Sequence, residues 1–413
     1  MVLIYWVVAK AYLIAVHIVA LFSEKARFWV EGRRNWTESL TQQLERGKPT
    51  IWFHCASLGE FEQGRPVIEA YKKNYPNHQL LLTFFSPSGY RVRKDYAVVD
   101  CVSYLPMDGP ANAKRFLEIV QPDMAVFVKY EFWFFYLRAL KRQQIPHFVI
   151  SAIFRPTQYF FGWMGAGPRK MLRGITHIFV QNETSVKLLE GAHIPTVTLS
   201  GDTRFDRVHE IAENQEDLTE LAPFLGKEAI LVAGSTWPGD EKLIKGLINR
   251  PLALRYIIAP HEIQEAHLQE LEAGLKVKSV RLSKATADEL STATVLIVDS
   301  IGLLSKLYRY GDITYVGGGF GSGIHNLLEA AAHEKPVLFG PRHEKFQEAH
   351  DLLACGGGFT FSTEAELRQI VESMLQDLPR REQAAKAAKE YVQKNIGATN
   401  LILAKIQGYL PNS

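Results

Sequence analysis

The sequence predicts an α/β protein of two doubly wound domains with a cleft between them, preceded by a membrane-anchor helix. Three observations lead there. From Thr50 onward, short apolar runs alternate with amphipathic stretches. The rhythm breaks at a polar stretch, Glu210–Glu220, and then restarts. The chain has 413 residues, a length that suits two domains of ordinary size.

At the amino terminus, Met1 to Phe22 is apolar except for Tyr5, Trp6, Lys10, Tyr12 and His17. As a helix it would span about 33 Å, close to the hydrocarbon thickness of a bilayer. No basic residue precedes the apolar run and no small-x-small cleavage site follows it, which argues against a signal peptide. Lys10 and His17 share a helical face, so two membrane readings stand, a weak spanning helix or an interfacial helix with a polar stripe, beside the blander one of a buried core helix in a soluble domain. Lys25, Arg27, Arg33 and Arg34 follow, interleaved with Phe28, Trp29 and Trp36, as at a membrane boundary. If the helix spans, the positive-inside rule puts the remainder in the cytoplasm.

Strand candidates in the first half are Thr50–Ala56, Leu80–Phe85, Cys101–Tyr104, Met124–Val128, His147–Ser151, His177–Gln181 and Val197–Ser200. Amphipathic segments such as Phe61–Tyr75 and Ala111–Val120 lie between them. After the polar break come Ala229–Ala233, Tyr256–Ala259, Val295–Val298, Ile313–Val316 and Pro336–Phe339, and Glu364 to Gln407 reads as mostly helical. Strands alternating with helices imply parallel sheets covered on both faces, hence Rossmann-like domains. The expected plan is an anchor over 1–22, a first domain over 23–210, a second over 211–390, and a helix over 391–413 that returns toward the first domain. In such sheets ligands sit beyond the carboxyl ends of the strands.

Composition narrows the class. The chain is 47% hydrophobic and 22% charged, which supports a sizeable core and argues against wholesale disorder. A formal charge of +3 gives no case for nucleic acid. Cys55, Cys101 and Cys355 are far apart, so neither a disulfide framework nor a structural zinc site is expected. Cys55 reads as a small strand-end residue, with a nucleophile as the alternative. No metal-ligand cluster and no P-loop occur.

Four strand-to-helix loops carry candidate chemistry. In His54–Glu60, Ser57 and Gly59 suit a tight turn into a helix, and Glu60 is either a general base or a carboxylate that complements the helix dipole. In Thr83–Gly89, Ser86 and Ser88 offer hydroxyls to an acceptor, though Ser86 also suits a helix cap. After the fourth strand, Lys129 and Glu131 either position an acceptor or pair with each other. The glycine-rich turn Gly317–Gly323, leading to His325, Asn326 and Glu329, suits close approach of backbone to a phosphate, with Glu329 in reach of a ribose.

Taken together, these loops resemble the Kdo transferases, GT-B glycosyltransferases that move 3-deoxy-D-manno-octulosonic acid (Kdo) from CMP-Kdo to the lipid A precursor. Trp52–Glu60 is similar to that family's signature loop. Thr83–Gly89, the Glu131/Trp133 pair, Gly201–Asp206, Gly234-Ser235-Thr236 with Asp240 and Glu241, and Ile324–Glu329 match further motifs. Ala259-Pro260-His261-Glu262 stands where the family has Pro-Arg-His, Ile301-Gly302-Leu303 replaces Met-Gly-Glu, and Lys129-Tyr130-Glu131 replaces Glu-Thr-Glu. The resemblance implies Glu60 and Glu131 as catalytic residues. It implies Gly234, Ser235, Thr236, Pro260, His261, Gly302, Gly318, Gly319, His325, Asn326 and Glu329 at the donor, and Ser57, Gly59, Ser86, Ser88 and Lys129 at the acceptor. It also implies no cofactor beyond the donor CMP-Kdo, no metal, and a place at the cytoplasmic side of a bacterial inner membrane. A nucleotide-sugar epimerase, and a transferase using another nucleotide sugar and lipid, are the competing readings.

Overall fold

The computed structural model describes residues 2–163, 165–214, 217–250 and 252–410. The chain forms two compact units, Met1–Asp206 with Gly397–Ser413, and Arg207–Ile396. Each holds a seven-stranded sheet, parallel at every pairing.

In the first unit the strands are β1 (Thr50–Cys55), β2 (Gln79–Phe84), β3 (Cys101–Tyr104), β4 (Met124–Val128), β5 (His147–Ala152), β6 (His177–Val180) and β7 (Val197–Leu199). Their order is β3-β2-β1-β4-β5-β6-β7, so β1 and β4 lie at the switch point where chain direction across the sheet reverses. β1, β2 and β4 are buried at every position. Trp52, Leu81 and Phe127 face one core layer, and Ile51, Phe53, Leu82 and Val126 face the other. This two-sided burial is why these strands read as continuous apolar runs. A carboxyl-terminal helix, Ala398–Gln407, buries Ile402, Leu403 and Ile406 in the second of these layers. Its first backbone N–H groups, at Gly397 and Thr399, donate to the Asp206 carboxylate, at 2.5 and 2.7 Å. An acid at a helix start complements the dipole.

In the second unit β8 (Ala229–Thr236), β9 (Leu254–Pro260), β10 (Ser279–Arg281), β11 (Val295–Ile297), β12 (Ile313–Val316), β13 (Val337–Phe339) and β14 (Gly358–Thr360) take the order β10-β11-β9-β8-β12-β13-β14. β10 and β14 escape sequence reading. Each is an edge strand of three residues, Ser279-Val280-Arg281 and Gly358-Phe359-Thr360, with a single large apolar side chain, so neither shows an apolar run.

The amino-terminal expectation needs correction. A helix, α1 (Val2–Val19), does form. Among the described residues, however, no helix is long and apolar enough to cross a membrane. α1 stops at Val19, short of the 22 residues expected, and commits one side to the first unit. Ala9 is buried, the Tyr5 hydroxyl donates to Asp108 at 2.7 Å, and the Tyr12 ring packs on Trp29 and Phe85. The next helix, α2 (Glu24–Glu31), brings Trp29 inside. Arg33 is buried too, not a surface cation. Its guanidinium stacks on Trp29 and donates to the carbonyls of Leu105, Trp29 and Phe85. Lys25, Arg27 and Arg34 stay exposed.

Candidate active site

β1 delivers its loop into a helix, α3 (Leu58–Asn74), at the switch point. Gly64 lets this helix lie close on the sheet. A Cβ there would stand 2.8 Å from Cγ2 of Val128 and 3.4 Å from Sγ of Cys55. Glu60 is one turn earlier on the same helical face, so it sits over the carboxyl ends of β1 and β4.

Ser57-Leu58-Gly59-Glu60 has the spelling of a capping box, in which Ser and Glu side chains would satisfy first-turn backbone N–H groups. No such cap forms. The Ser57 hydroxyl instead donates to the Glu60 carboxylate. Capping boxes do form elsewhere, at Thr286/Glu289 and Thr363/Glu366. At α3 the first-turn N–H groups receive no cap from Ser57, and Glu60 is half-buried with a hydroxyl at its side. Such a helix entry suits anionic or hydroxyl-bearing ligands.

Glu131 is held nearby in a brace. Its Oε2 accepts the Trp133 indole N–H at 2.6 Å and lies 3.3 Å from Nε2 of His54. His54 is fully buried, with Nδ1 2.9 Å from the Thr83 hydroxyl. Thr83 accepts the Trp52 indole N–H at 2.7 Å and donates to the Phe53 carbonyl at 3.3 Å. With the hydroxyl proton used there, His54 Nδ1 is the donor to Thr83, and the Nε2 lone pair accepts the Trp133 N–H at 3.0 Å, which it shares with Glu131. Burial pushes the Cys55 thiol up, and Glu60, Glu131 and Glu62 push it further in that order. Both catalytic candidates therefore act on one thiol. That thiol is fully buried and held protonated, which removes it as a nucleophile. Burial also raises the Tyr130 phenol, against Arg155 and with Glu60.

Other expected acceptor residues are placed as follows. Gly59 is exposed in the first turn of α3. Lys129 takes the left-handed conformation, φ 65°, directly after β4. Ser86 caps the helix Pro87–Arg93, accepting the Ser88 N–H at 3.3 Å, with the two hydroxyls 2.9 Å apart. The Ser86 N–H donates to the Ala56 carbonyl at 2.7 Å, which ties the loops after β1 and β2 together.

In the second unit the expected donor residues gather around Asp240, which has no exposed surface. Its carboxylate accepts the Trp237 and Gly318 N–H groups, at 2.9 and 2.8 Å, and the Tyr315 hydroxyl at 2.7 Å. This anchors the glycine turn. A Cβ on Gly317 would meet the Ser235 carbonyl at 2.3 Å, and one on Gly319 would meet Gly340 Cα at 2.5 Å. A Cβ on Gly234 would meet the Tyr308 hydroxyl at 2.2 Å. Ser235 is left-handed, φ 52°, and the Thr236 hydroxyl donates to Glu241 at 3.1 Å. After buried Pro260, the His261 ring stacks between Trp237, at 4.5 Å, and His325, at 4.6 Å. Trp237 donates to His325 Nε2 at 2.9 Å. Burial lowers the His325 pKa, and His261 lowers it further, so His325 is held neutral. Asn326 donates to Glu329 at 3.1 Å while its own oxygen accepts the Leu328 N–H at 3.2 Å. Gly302 differs from these: it lies on an exposed bend at φ 94°. Among the described residues no group of three or more His, Cys, Asp or Glu side chains could hold a metal ion.

Sequence reasoning did not assign His54 or Trp237. Each sits beside a recognised motif, but their partners lie 79 and 88 residues away.

Known proteins resemble this chain over most of its length. Residues 32–207 match the family described as "3-Deoxy-D-manno-octulosonic-acid transferase (kdotransferase)". A 3-deoxy-D-manno-octulosonic acid transferase of Aquifex aeolicus (strain VF5) is 28% identical over 339 residues, covering 79% of this chain and 86% of the relative. One from Haemophilus influenzae is 26% identical over 377 residues, 87% of each chain. Among solved structures, the UDP-GlcNAc 2-epimerase of Neisseria meningitidis bound to UDP-GlcNAc has a TM-score of 0.61 at 18% identity. It covers 87% of this chain and 100% of its own, a likeness of fold alone, of the GT-B-like α/β type.

Proposed function

We propose that this chain, which belongs among the Kdo transferases, moves Kdo from CMP-Kdo to the lipid A precursor with inversion at the anomeric carbon. It is a glycosyltransferase of the Kdo-transfer class. The finer reading rests on Glu60, a carboxylate at a helix entry where the capping pattern is spelled but not made. A carboxylate freed from capping and flanked by a hydroxyl is suited to take a proton from a sugar hydroxyl. The freed oxygen then attacks the anomeric carbon of Kdo, the bond to CMP breaks, and the leaving phosphate takes up the electron pair. Glu131, fixed by Trp133 and His54, adds negative charge beside the acceptor and orients it. On the donor side the Asp240-anchored glycine turn presents backbone to the CMP phosphate, and the Trp237/His261/His325 stack offers ring surface to the base.

The membrane part of the reading is interfacial. α1 turns Ile4, Val7, Val8, Ile14 and Ile18 outward, and Leu21 and Phe22 after it are 72% and 86% exposed. A helix with one side docked and an apolar side outward lies in a membrane surface, with Lys25, Arg27 and Arg34 toward anionic headgroups. On this reading the chain works at the inner membrane, where a lipid acceptor would reside.

Glu60→Gln tests the reading. Loss of a general base should lower kcat about 10²–10⁴-fold with folding intact, measured as CMP release from CMP-Kdo on a tetra-acylated glucosamine disaccharide phosphate. Near-normal transfer by that variant, or turnover of UDP-GlcNAc in place of CMP-Kdo by the unaltered protein, would overturn it.

A further inference from the structure

We infer that the apolar pocket between α1 and the loop after β4 is a subsite for one acyl chain of the lipid acceptor. The inference deepens the proposed function and takes the identity of the acceptor from it. Val2, Tyr5, Phe132, Phe134, Tyr159 and Met171 form the walls, around about 310 Å³. That volume is in the range of small-ligand sites.

The chemistry of the walls selects the occupant. No lining side chain is charged. The Tyr5 hydroxyl is spent on buried Asp108, so Tyr5 presents its ring, packed 5.7 Å from Phe134 and 5.8 Å from Phe135. Phe132 is fixed by Phe160, at 5.1 Å, and Phe154, at 5.8 Å. A polar headgroup would lose its hydration here and gain no partner, whereas a hydrocarbon chain loses nothing.

Position selects the source of the chain. Phe132 directly follows Glu131, so one wall of the pocket belongs to the loop that carries a catalytic candidate. Another wall is α1, whose outward side is apolar. Tyr159 is 60% exposed and Trp163, four residues on, is 92% exposed. Exposed aromatics of this kind sit at the membrane interface. A chain seated here would hold its sugar beside Glu131 while the remaining chains stay in the lipid.

The test uses the full chain with Met171→Trp and, separately, Val2→Trp, which fill the pocket from two different walls. Kdo transfer is measured in detergent on the acylated precursor and on its fully deacylated sugar bisphosphate. Both variants should raise KM for the acylated acceptor at least tenfold, leave kcat in place, and leave the deacylated acceptor unaffected. A fluorescent dodecanoyl probe, used without detergent, should bind the unaltered protein and neither variant. Its affinity should fall about fourfold per methylene removed, from a burial value near 0.8 kcal/mol per methylene. The proposal is overturned if the variants match the parent on the acylated acceptor, lose both acceptors equally, or if the parent does not bind the probe. It is also overturned if the variants lose binding to plain phospholipid vesicles while still discriminating the two acceptors as the parent does, since bulk lipid is then the occupant. Probe binding that the variants abolish, with no CMP released on either acceptor by the parent, keeps the acyl subsite and removes the transfer reading instead. Thermal midpoints of both variants establish folding, and either wall alone suffices for the test.

Discussion

Replacing Gly64 with alanine tests how the fold aims Glu60. The added methyl would stand 2.8 Å from Cγ2 of Val128. Carbon atoms in good contact are about 3.5–4.0 Å apart, so α3 and β4 must separate by roughly 0.7–1.2 Å. Val128 is fully buried and β-branched, and cannot simply swing away. Overpacking costs about 1–3 kcal/mol, and alanine recovers about 1 kcal/mol of helix propensity over glycine. The net loss is then at most about 2 kcal/mol, and the protein stays folded. A misplacement near 1 Å costs a reacting group about 10² in rate. The expected result is a ten- to hundredfold fall in kcat/KM for CMP release, with a urea midpoint shift equivalent to no more than about 2 kcal/mol. Wild-type rates at wild-type stability would refute the reasoning, because Val128 would then have yielded without moving Glu60. Unfolding of the variant would refute the stability arithmetic.

Asp108 supplies a pH signature. Burial raises its carboxyl to about 6 against the Tyr5, Phe135 and Tyr136 hydrogen bonds, which lower it. A folded pKa above the unfolded one stabilises the fold fully below about pH 4, and the contribution is lost as pH rises through 6. The Asp108 share is about 3 kcal/mol, so Asp108→Asn should flatten the stability profile between pH 4 and 6, read from urea midpoints across that range. Asp240→Asn removes the charge on the one oxygen that accepts both the Trp237 and the Gly318 N–H, and turns an NH2 toward the Tyr315 hydroxyl, which must then accept instead of donate. It should cost about 1–3 kcal/mol of stability and weaken CMP binding, by thermal denaturation and calorimetric titration. Ile402→Ala empties a fully buried position under the carboxyl-terminal helix and should cost about 2–5 kcal/mol by urea unfolding.

Much of this molecule is local, and local features are legible. The long central strands show in the sequence because two-sided burial demands unbroken apolar runs, as at Ile51–Cys55 and Met124–Val128. The strand-to-helix loops show because glycine, serine and proline mark where a chain must turn. Ser57–Glu60, Gly234–Thr236 and Gly317–Gly323 all fall at such places, with Glu60 and the glycine turn already singled out. β10 and β14, with one large apolar side chain each, carry no such mark.

How the side chains of those loops pair is decided by distance in the fold. Whether Glu60 joins a capping box or stays uncapped is one spelling with two outcomes, and only the direction of the Ser57 hydroxyl separates them. Glu131 is braced by His54 and Trp133, and the His54 ring is oriented by Thr83 of the neighbouring strand; that register exists only once β1, β2 and β4 pair. At the amino terminus the composition is apolar in either reading. Tyr5 and Tyr12 meeting Asp108, Trp29 and Phe85 decide that one side of it belongs to the protein. Apolar periodicity depends on neighbours a few residues apart, so sequence determines it. A carboxylate's partner or a helix's docked side depends on residues far along the chain, and only folding brings those together.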